Sequence, residues 1–176
     1  MLFSSHYKSP IGEIKIIASE RGIISVMFES PNSPLLWRGV GGEATFTNQH
    51  TDNCLQQLQE YFSGNRKEFE LEFELQGTDF QKKVWEELLK VPYGKTVSYS
   101  YIAKATGDIK AVRAVGNANG KNKIAIIIPC HRVIGSNGSL TGYAGGMARK
   151  KWLLDLEQKV TAPELFDRIE EQISYG

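Results

Sequence analysis

Cysteine is scarce: Cys54 and Cys130 are the only two in 176 residues. Two are too few for a disulfide framework, so a reducing, cytoplasmic setting is expected. With three histidines scattered along the chain they form no recognisable zinc pattern, and no metal is expected. Long apolar runs are missing too. The start Met1-Leu2-Phe3-Ser4-Ser5-His6-Tyr7 lacks the charged and apolar parts of a secretory signal, so no membrane association is expected. The glycine-rich loop Thr141-Gly142-Tyr143-Ala144-Gly145-Gly146 is followed by Met147-Ala148, where a phosphate-binding loop needs lysine and a hydroxyl; this argues against nucleotide chemistry. The 41% apolar and 23% charged content is that of a globular protein with one core or two small ones.

Acidic residues are nearly absent from one stretch. The whole chain carries a net charge of +1, yet residues 101–151 hold nine lysines and arginines against Asp108 alone. Such asymmetry fits a phosphate-facing surface on an otherwise acidic protein, and equally a solvated basic face without a ligand.

The chain divides near residue 77 into a small α+β part, 1–77, and a mostly helical part, 78–176. Residues 7–18, with a Pro/Gly turn signal, and residues 22–28 predict a hairpin turning at 19–22. Residues 30–49 read as a long irregular segment, with Trp37 a candidate lid over the sheet. Leu55, Leu58, Tyr61 and Phe62 predict a helix over 51–63 that Gly64 ends, with Cys54 a small core residue. Residues 69–75 alternate strictly and predict a strand with one acidic, solvated face. Thr78-Asp79-Phe80-Gln81 fits a capping box and opens a helix with Phe80, Val84, Trp85 and Leu88 as its buried stripe.

Residues 98–106 and 109–119 form two short predicted helices separated by Gly107, as in a helix-turn-helix, although core packing produces the same pattern. The second carries Lys110 and Arg113 among small residues, Ala111, Ala114, Gly116 and Ala118. It offers few long side chains to read a major groove, but suits close, sequence-tolerant contact with a narrow one. Residues 149–157 predict an amphipathic helix through Trp152, Leu153 and Leu156. Residues 159–175 predict another, with Leu165, Ile169 and Ile173 at its buried edge. Neither that last helix nor the 30–49 segment has a functional reading.

The chemistry concentrates in Ile124-Ala125-Ile126-Ile127-Ile128-Pro129-Cys130-His131-Arg132-Val133. Five apolar residues predict a short buried strand or extended segment, which Pro129 stops. Cys130 and His131 follow where the buried element breaks open, a nucleophile beside a base that can take its proton. Glu157 lies four residues from Leu153, on or beside an apolar stripe. A carboxylate there is costly unless paired, and His131 is an available partner.

Pro129-Cys130-His131-Arg132-Val133 resembles the active-site signature of the O6-alkylguanine-DNA alkyltransferases. Arg113-Ala114-Val115-Gly116 and Tyr143-Ala144-Gly145-Gly146 follow that family's order and spacing. The resemblance implies an RNase H-like α+β N-terminal domain and a winged-helix-like, DNA-binding C-terminal domain. It implies a monomer without a cofactor that binds alkylated double-stranded DNA through the minor groove. The damaged guanine is flipped out and its alkyl group passes once and irreversibly to Cys130. His131 would remove the thiol proton through a water, Glu157 would fix the imidazole tautomer, and Asn122 would hold the turn. Tyr99 would assist departure of guanine through its hydroxyl, and Arg113 would fill the vacated stack. Carbonyls of Cys130 and Val133, with Tyr143 and Ala144, would line the base pocket. Lys110, Ala114, Gly116 and Lys150 would contact DNA. The family often has serine where this chain has Ala144, so a side-chain contact to the guanine oxygen passes to a backbone N–H; the range of alkyl groups accepted stays open.

Three rival readings are weaker. A non-catalytic lesion binder of this family would replace Cys130. A hydrolase built on Cys130, His131 and Glu157 would need an oxyanion hole that the sequence does not name. A helix-turn-helix regulator would need long base-reading side chains and a dimer interface.

Overall fold

The computed structural model describes residues 1–29 and 46–162. The alternation of the first segment forms an antiparallel meander of three strands, β1 (Phe3–Ser9), β2 (Gly12–Ala18) and β3 (Ile23–Phe28). The expected β2–β3 hairpin is present, and the Pro/Gly signal marks a second turn, between β1 and β2. One face of the sheet buries Ile14, Ile16, Ala18, Ile23 and Val26. Helix α1 (Gln49–Phe62) packs across it through Cys54, Leu58, Tyr61 and Phe62, and starts at a capping box between Asn48 and Thr51.

The strand expected over 69–75 does not form. Phe69, Leu71, Phe73 and Leu75 do pack on the core, so the alternation reports the buried face correctly. The ladder is replaced by single contacts: Gln57 bonds both N–H and C=O of Glu70, and Ile23 bridges to Phe73. Further along β3, Val26 bridges to Ile124. The outer edge of the sheet is thus closed by two short pieces, the second from the C-terminal half.

Helix α2 (Asp79–Leu89) has the expected capping box, Thr78 with Gln81. Its stripe begins one turn later than expected: Phe80 is exposed, because α2 meets its neighbour through the later turns, where Trp85 Nε1 donates to Ala118 O at 2.9 Å. Strand β4 (Val97–Ser98) leads into α3 (Tyr99–Ala105). After Gly107, the expected second helix opens with a 3₁₀ turn, Ile109–Ala111, capped by Asp108, and becomes α4 (Val112–Gly120). Strand β5 (Val133–Ile134) pairs in parallel with β4, and α5 (Met147–Thr161) closes the described chain. Trp37, Leu165, Ile169 and Ile173 lie outside the described residues. No described helix is long and apolar enough to cross a membrane.

Buried residues of both halves form one contiguous cluster, from Ile14 to Leu153, and the fold is α+β. Gly22, at the turn into β3, backs onto the backbone of Glu72 and Phe73. Its φ is +152°, and a Cβ there would stand 2.6 Å from the carbonyl oxygen of Glu72. Gly22→Ala should cost about 1–3 kcal/mol in urea unfolding, through strain at a glycine-only angle. Gly120→Ala, which meets nothing within 4 Å, should stay within about 1 kcal/mol of the parent. Equal stabilities for the two variants would contradict this.

Candidate active site

Residues 124–132 form a buried strap rather than the expected strand. After the single bridge to Val26 the chain reverses: Ile127 N donates to Ala125 O at 2.9 Å, and Ile126 between them has φ +73°. An i→i+2 bond around a positive φ is the rare, strained form of γ-turn, and a β-branched residue there costs about 1–3 kcal/mol. A second γ-turn follows, with Cys130 N donating to Ile128 O at 2.8 Å around Pro129, whose φ of −80° and ψ of 61° suit the relaxed form. Cys130–Arg132 then make a 3₁₀ turn. Asn122 sits at the centre of the strap. Its Oδ1 accepts from Ile124 N at 2.9 Å, and its Nδ2 donates to Ile128 O at 2.9 Å and lies 3.2 Å from Cys130 Sγ. Its two amide atoms thus bond to backbone on both sides of the reversal.

Behind the strap, Glu157 is completely buried. His131 Nε2 lies 2.7 Å from its Oε1 and Tyr61 Oη donates to the same oxygen at 2.8 Å. Arg132 Nε donates to Oε2 and Nη2 to Oε1, both at 2.9 Å, and Gly94 N donates to Oε2, also at 2.9 Å. Burial alone would raise the Glu157 pKa, but the hydrogen bonds and charges of His131 and Arg132 bring it down to about 2. The carboxylate is therefore ionised and can only accept, which places the imidazole proton on Nε2. Nδ1 has no partner among the described residues and keeps its lone pair. Burial lowers the His131 pKa against the pull of Glu157, so the ring is neutral near pH 7. Burial raises the Cys130 pKa, and the Asn122 contact only partly offsets it; the resting group is a thiol that needs a base.

Cys130 opens into a cavity of about 290 Å³, lined also by Tyr143, Ala144 and Gly145 of the glycine-rich loop and by Met27, Phe28 and Glu29 of the N-terminal half. Tyr143 is edge-on to His131, with centroids 6.5 Å apart, and its hydroxyl is buried without a partner among the described residues. Tyr99 Oη reaches the start of the same loop, 3.3 Å from Thr141 O. Gly116 faces the Tyr99 ring, while Lys110, Arg113 and Ala114 are exposed along the second helix. A larger cavity, of about 480 Å³, lies on the other side of the strap against Arg132 and Tyr93.

Lys150 corrects an expectation. It is fully buried, and its Nζ donates to Val133 O and Thr141 O at 2.6 Å, stapling β5 to the glycine-rich loop. Burial lowers its pKa to about 8. It cannot reach a phosphate. The Val133 carbonyl, expected to receive the guanine amine, is the one that Lys150 engages.

Sequence reading missed Tyr61, Arg132 and Gly94 as partners of Glu157. Arg132 stood within the quoted motif, and its type signalled a bidentate carboxylate partner. Tyr61 lies 96 residues from Glu157 and carried no signal. Among the described residues, His6, Glu13 and Glu29 also bring metal-ligating atoms within 4.8 Å of one another, on the open face of the sheet. There His6 Nδ1 lies 3.5 and 3.7 Å from the two carboxylates, spacings of ordinary ion pairs when the ring is protonated. Cys54 and Cys130 are both unpaired.

Removing the guanidinium leaves the buried carboxylate undercompensated. Arg132→Met should cost about 3–5 kcal/mol in urea unfolding, and Arg132→Lys should recover only part, since a point charge cannot make the forked contact. A loss below about 1 kcal/mol for Arg132→Met would show that the other donors suffice.

The geometry can be set beside known proteins. Residues 79–159 match the family model of the 6-O-methylguanine DNA methyltransferase DNA binding domain, and residues 2–75 that of its ribonuclease-like domain. The chain is 43% identical over 164 residues to the methylated-DNA–protein-cysteine methyltransferase of Mycobacterium tuberculosis, covering 91% of this chain and 96% of that one. It is 45% identical over 163 residues to the corresponding Methanosarcina acetivorans protein, covering 89% and 98%. A crystal structure of the Mycobacterium tuberculosis protein in complex with DNA is similar at a TM-score of 0.75 and 41% identity, covering 88% and 92%. On both family models and on identity along most of its length, this chain belongs to the 6-O-methylguanine DNA methyltransferase family.

Proposed function

We propose that this protein repairs duplex DNA by taking the alkyl group of O6-alkylguanine onto Cys130, once per molecule and as a monomer in a reducing compartment. The observation that carries the reading is the buried cysteine facing a cavity, next to a neutral histidine held at one nitrogen by a buried carboxylate. The other nitrogen, His131 Nδ1, is free to accept.

Residues 78–176 carry the DNA contacts. Arg113, Lys110, Ala114 and Gly116 meet the minor groove, with Arg113 taking the place of the flipped guanine. The base then enters beside Tyr99, Tyr143 and Ala144. The thiol proton passes through a water to His131 Nδ1, and Glu157 stabilises the imidazolium at Nε2. The thiolate attacks the alkyl carbon and the C–O6 bond breaks. Its electron pair stays on guanine, where Tyr99 Oη donates to a ring nitrogen and a proton restores the normal base. The new bond is a thioether with no group able to reverse it. Electrons balance between thiolate and alkyl carbon, so the reaction needs no cofactor. Ala144 contributes its backbone N–H to the guanine oxygen in place of a hydroxyl. With Lys150 turned inward and Arg113 in the stack, phosphate contact falls to Lys110 and the exposed lysines near it, Lys104, Lys121 and Lys123.

Intact mass after incubation with duplex DNA holding a single O6-methylguanine tests the reading. Each molecule should gain one methyl, located on Cys130, and Cys130→Ser should gain none. Tight lesion binding with no mass change would instead mean a non-catalytic sensor.

The proton acceptor gives a second test. Because burial holds the His131 pKa below its ordinary 6.5, the transfer rate should stay level as pH falls from 8 through 6.5, and decline only below that. A half-loss of rate at or above about pH 6.5 would remove neutral His131 from the role.

A further inference from the structure

One wall of the cavity at Cys130 belongs to the N-terminal half, and one side chain pins it. Arg149, on α5, reaches three segments at once. Its Nε donates to Ile11 O at 2.8 Å in the β1–β2 turn, and its Nη1 donates to Gly145 O at 3.0 Å in the glycine-rich loop. Its guanidinium carbon stands 4.5 Å from the centre of the Phe28 ring at the end of β3. The backbone is shaped around it. A Cβ on Gly12, whose φ is +126°, would lie 2.8 Å from Arg149 Nη2, and a Cβ on Gly145 would lie 3.0 Å from Phe28. Phe28, Gly145 and Arg149 all line the cavity into which Cys130 opens. A planar guanidinium can stack on a ring while donating in two directions; an ammonium cannot.

We propose that Arg149 is a specificity-determining clamp: by locking the glycine-rich loop against β3 it fixes the width of the cavity that receives the alkyl group, and so limits how large a group Cys130 accepts. This rests on the alkyl-transfer reading above and assigns a part of that site to the N-terminal half. The cavity between Cys130 and the Phe28–Gly145 wall is the space into which a group carried on guanine O6 would extend as it meets Sγ. Arg149 touches neither sulfur nor His131 among the contacts described, so it acts by positioning. Loosening the clamp should widen the space while leaving the chemical groups in place.

The test compares duplexes carrying O6-methylguanine and O6-benzylguanine, with second-order rate constants measured for the parent, Arg149→Met and Arg149→Lys. Arg149→Met keeps length but loses both donors and the stacked charge. The benzyl-to-methyl rate ratio should rise by about fivefold or more, a change of the size that pocket shape controls. Arg149→Lys should behave like Arg149→Met, because the forked geometry and not the charge does the holding. Phe28→Leu, which removes the ring without touching α5, should move the ratio the same way and covers the case in which an Arg149 variant fails to fold. A ratio unchanged in all soluble variants, or shifted toward methyl, overturns the clamp. Absence of methyl transfer by the parent protein would instead strike the alkyl-transfer reading itself, so the two failures are separable.

Discussion

A carboxylate with no exposure at all sets the terms of this structure. Glu157 is ionised in the interior, and an unpaired charge there would cost several kcal/mol. It is tolerable because donors converge on it from α1, from the segment before β4 and from the strap: Tyr61, Gly94, His131 and Arg132. Such an ion-pair cluster is weak as a source of net stability, and strong as a demand that four parts of the chain meet in one arrangement. The same cluster sets the state of the imidazole. An ionised carboxylate fixes the proton of His131 on Nε2 and leaves the lone pair on Nδ1. The N-terminal half therefore supports the site through Tyr61, although its sequence holds no catalytic pattern.

The strap that presents Cys130 carries strain that the surroundings hold in place. A buried isoleucine at φ +73° is unfavourable in isolation. It persists because Val26 ties one end of the strap to the sheet and Asn122 ties the middle together from inside. Five apolar residues supply the burial that offsets the strain. The arrangement makes a tight reversal, so that Cys130 is buried yet faces a cavity.

Charge on the DNA-facing half needs the tertiary structure to be read. Nine basic residues lie between 101 and 151, but Arg132 and Lys150 are buried and Arg149 is committed to carbonyls and a ring. Lys151 pairs with Asp155. What faces outward near the second helix is Lys110 and Arg113, with Lys104, Lys121 and Lys123 exposed nearby. The surface is less basic than the sequence count suggests, so fewer cations are left to meet phosphates.

The sequence by itself determined the elements and the reactive residues. Period-two and period-3.6 patterns and capping boxes are local, so the β2–β3 hairpin, α1, α2 and α5 were legible, while the split of residues 3–18 into two strands was not; Cys130 and His131 were legible side by side, and Asn122 only through the family resemblance. Glu157 was legible because a carboxylate on an apolar stripe demands a partner. The tertiary structure alone decided what depends on distant segments meeting. The alternation of 69–75 fixed its buried face but not its pairing, because Gln57 and Ile23 took its hydrogen bonds. Residue type marked Lys150 and Arg149 as surface cations, yet long stems and several donors also suit them to bridging buried carbonyls. Whether a cation faces solvent or the interior depends on which carbonyls the fold leaves unpaired beside it, and no local pattern records that.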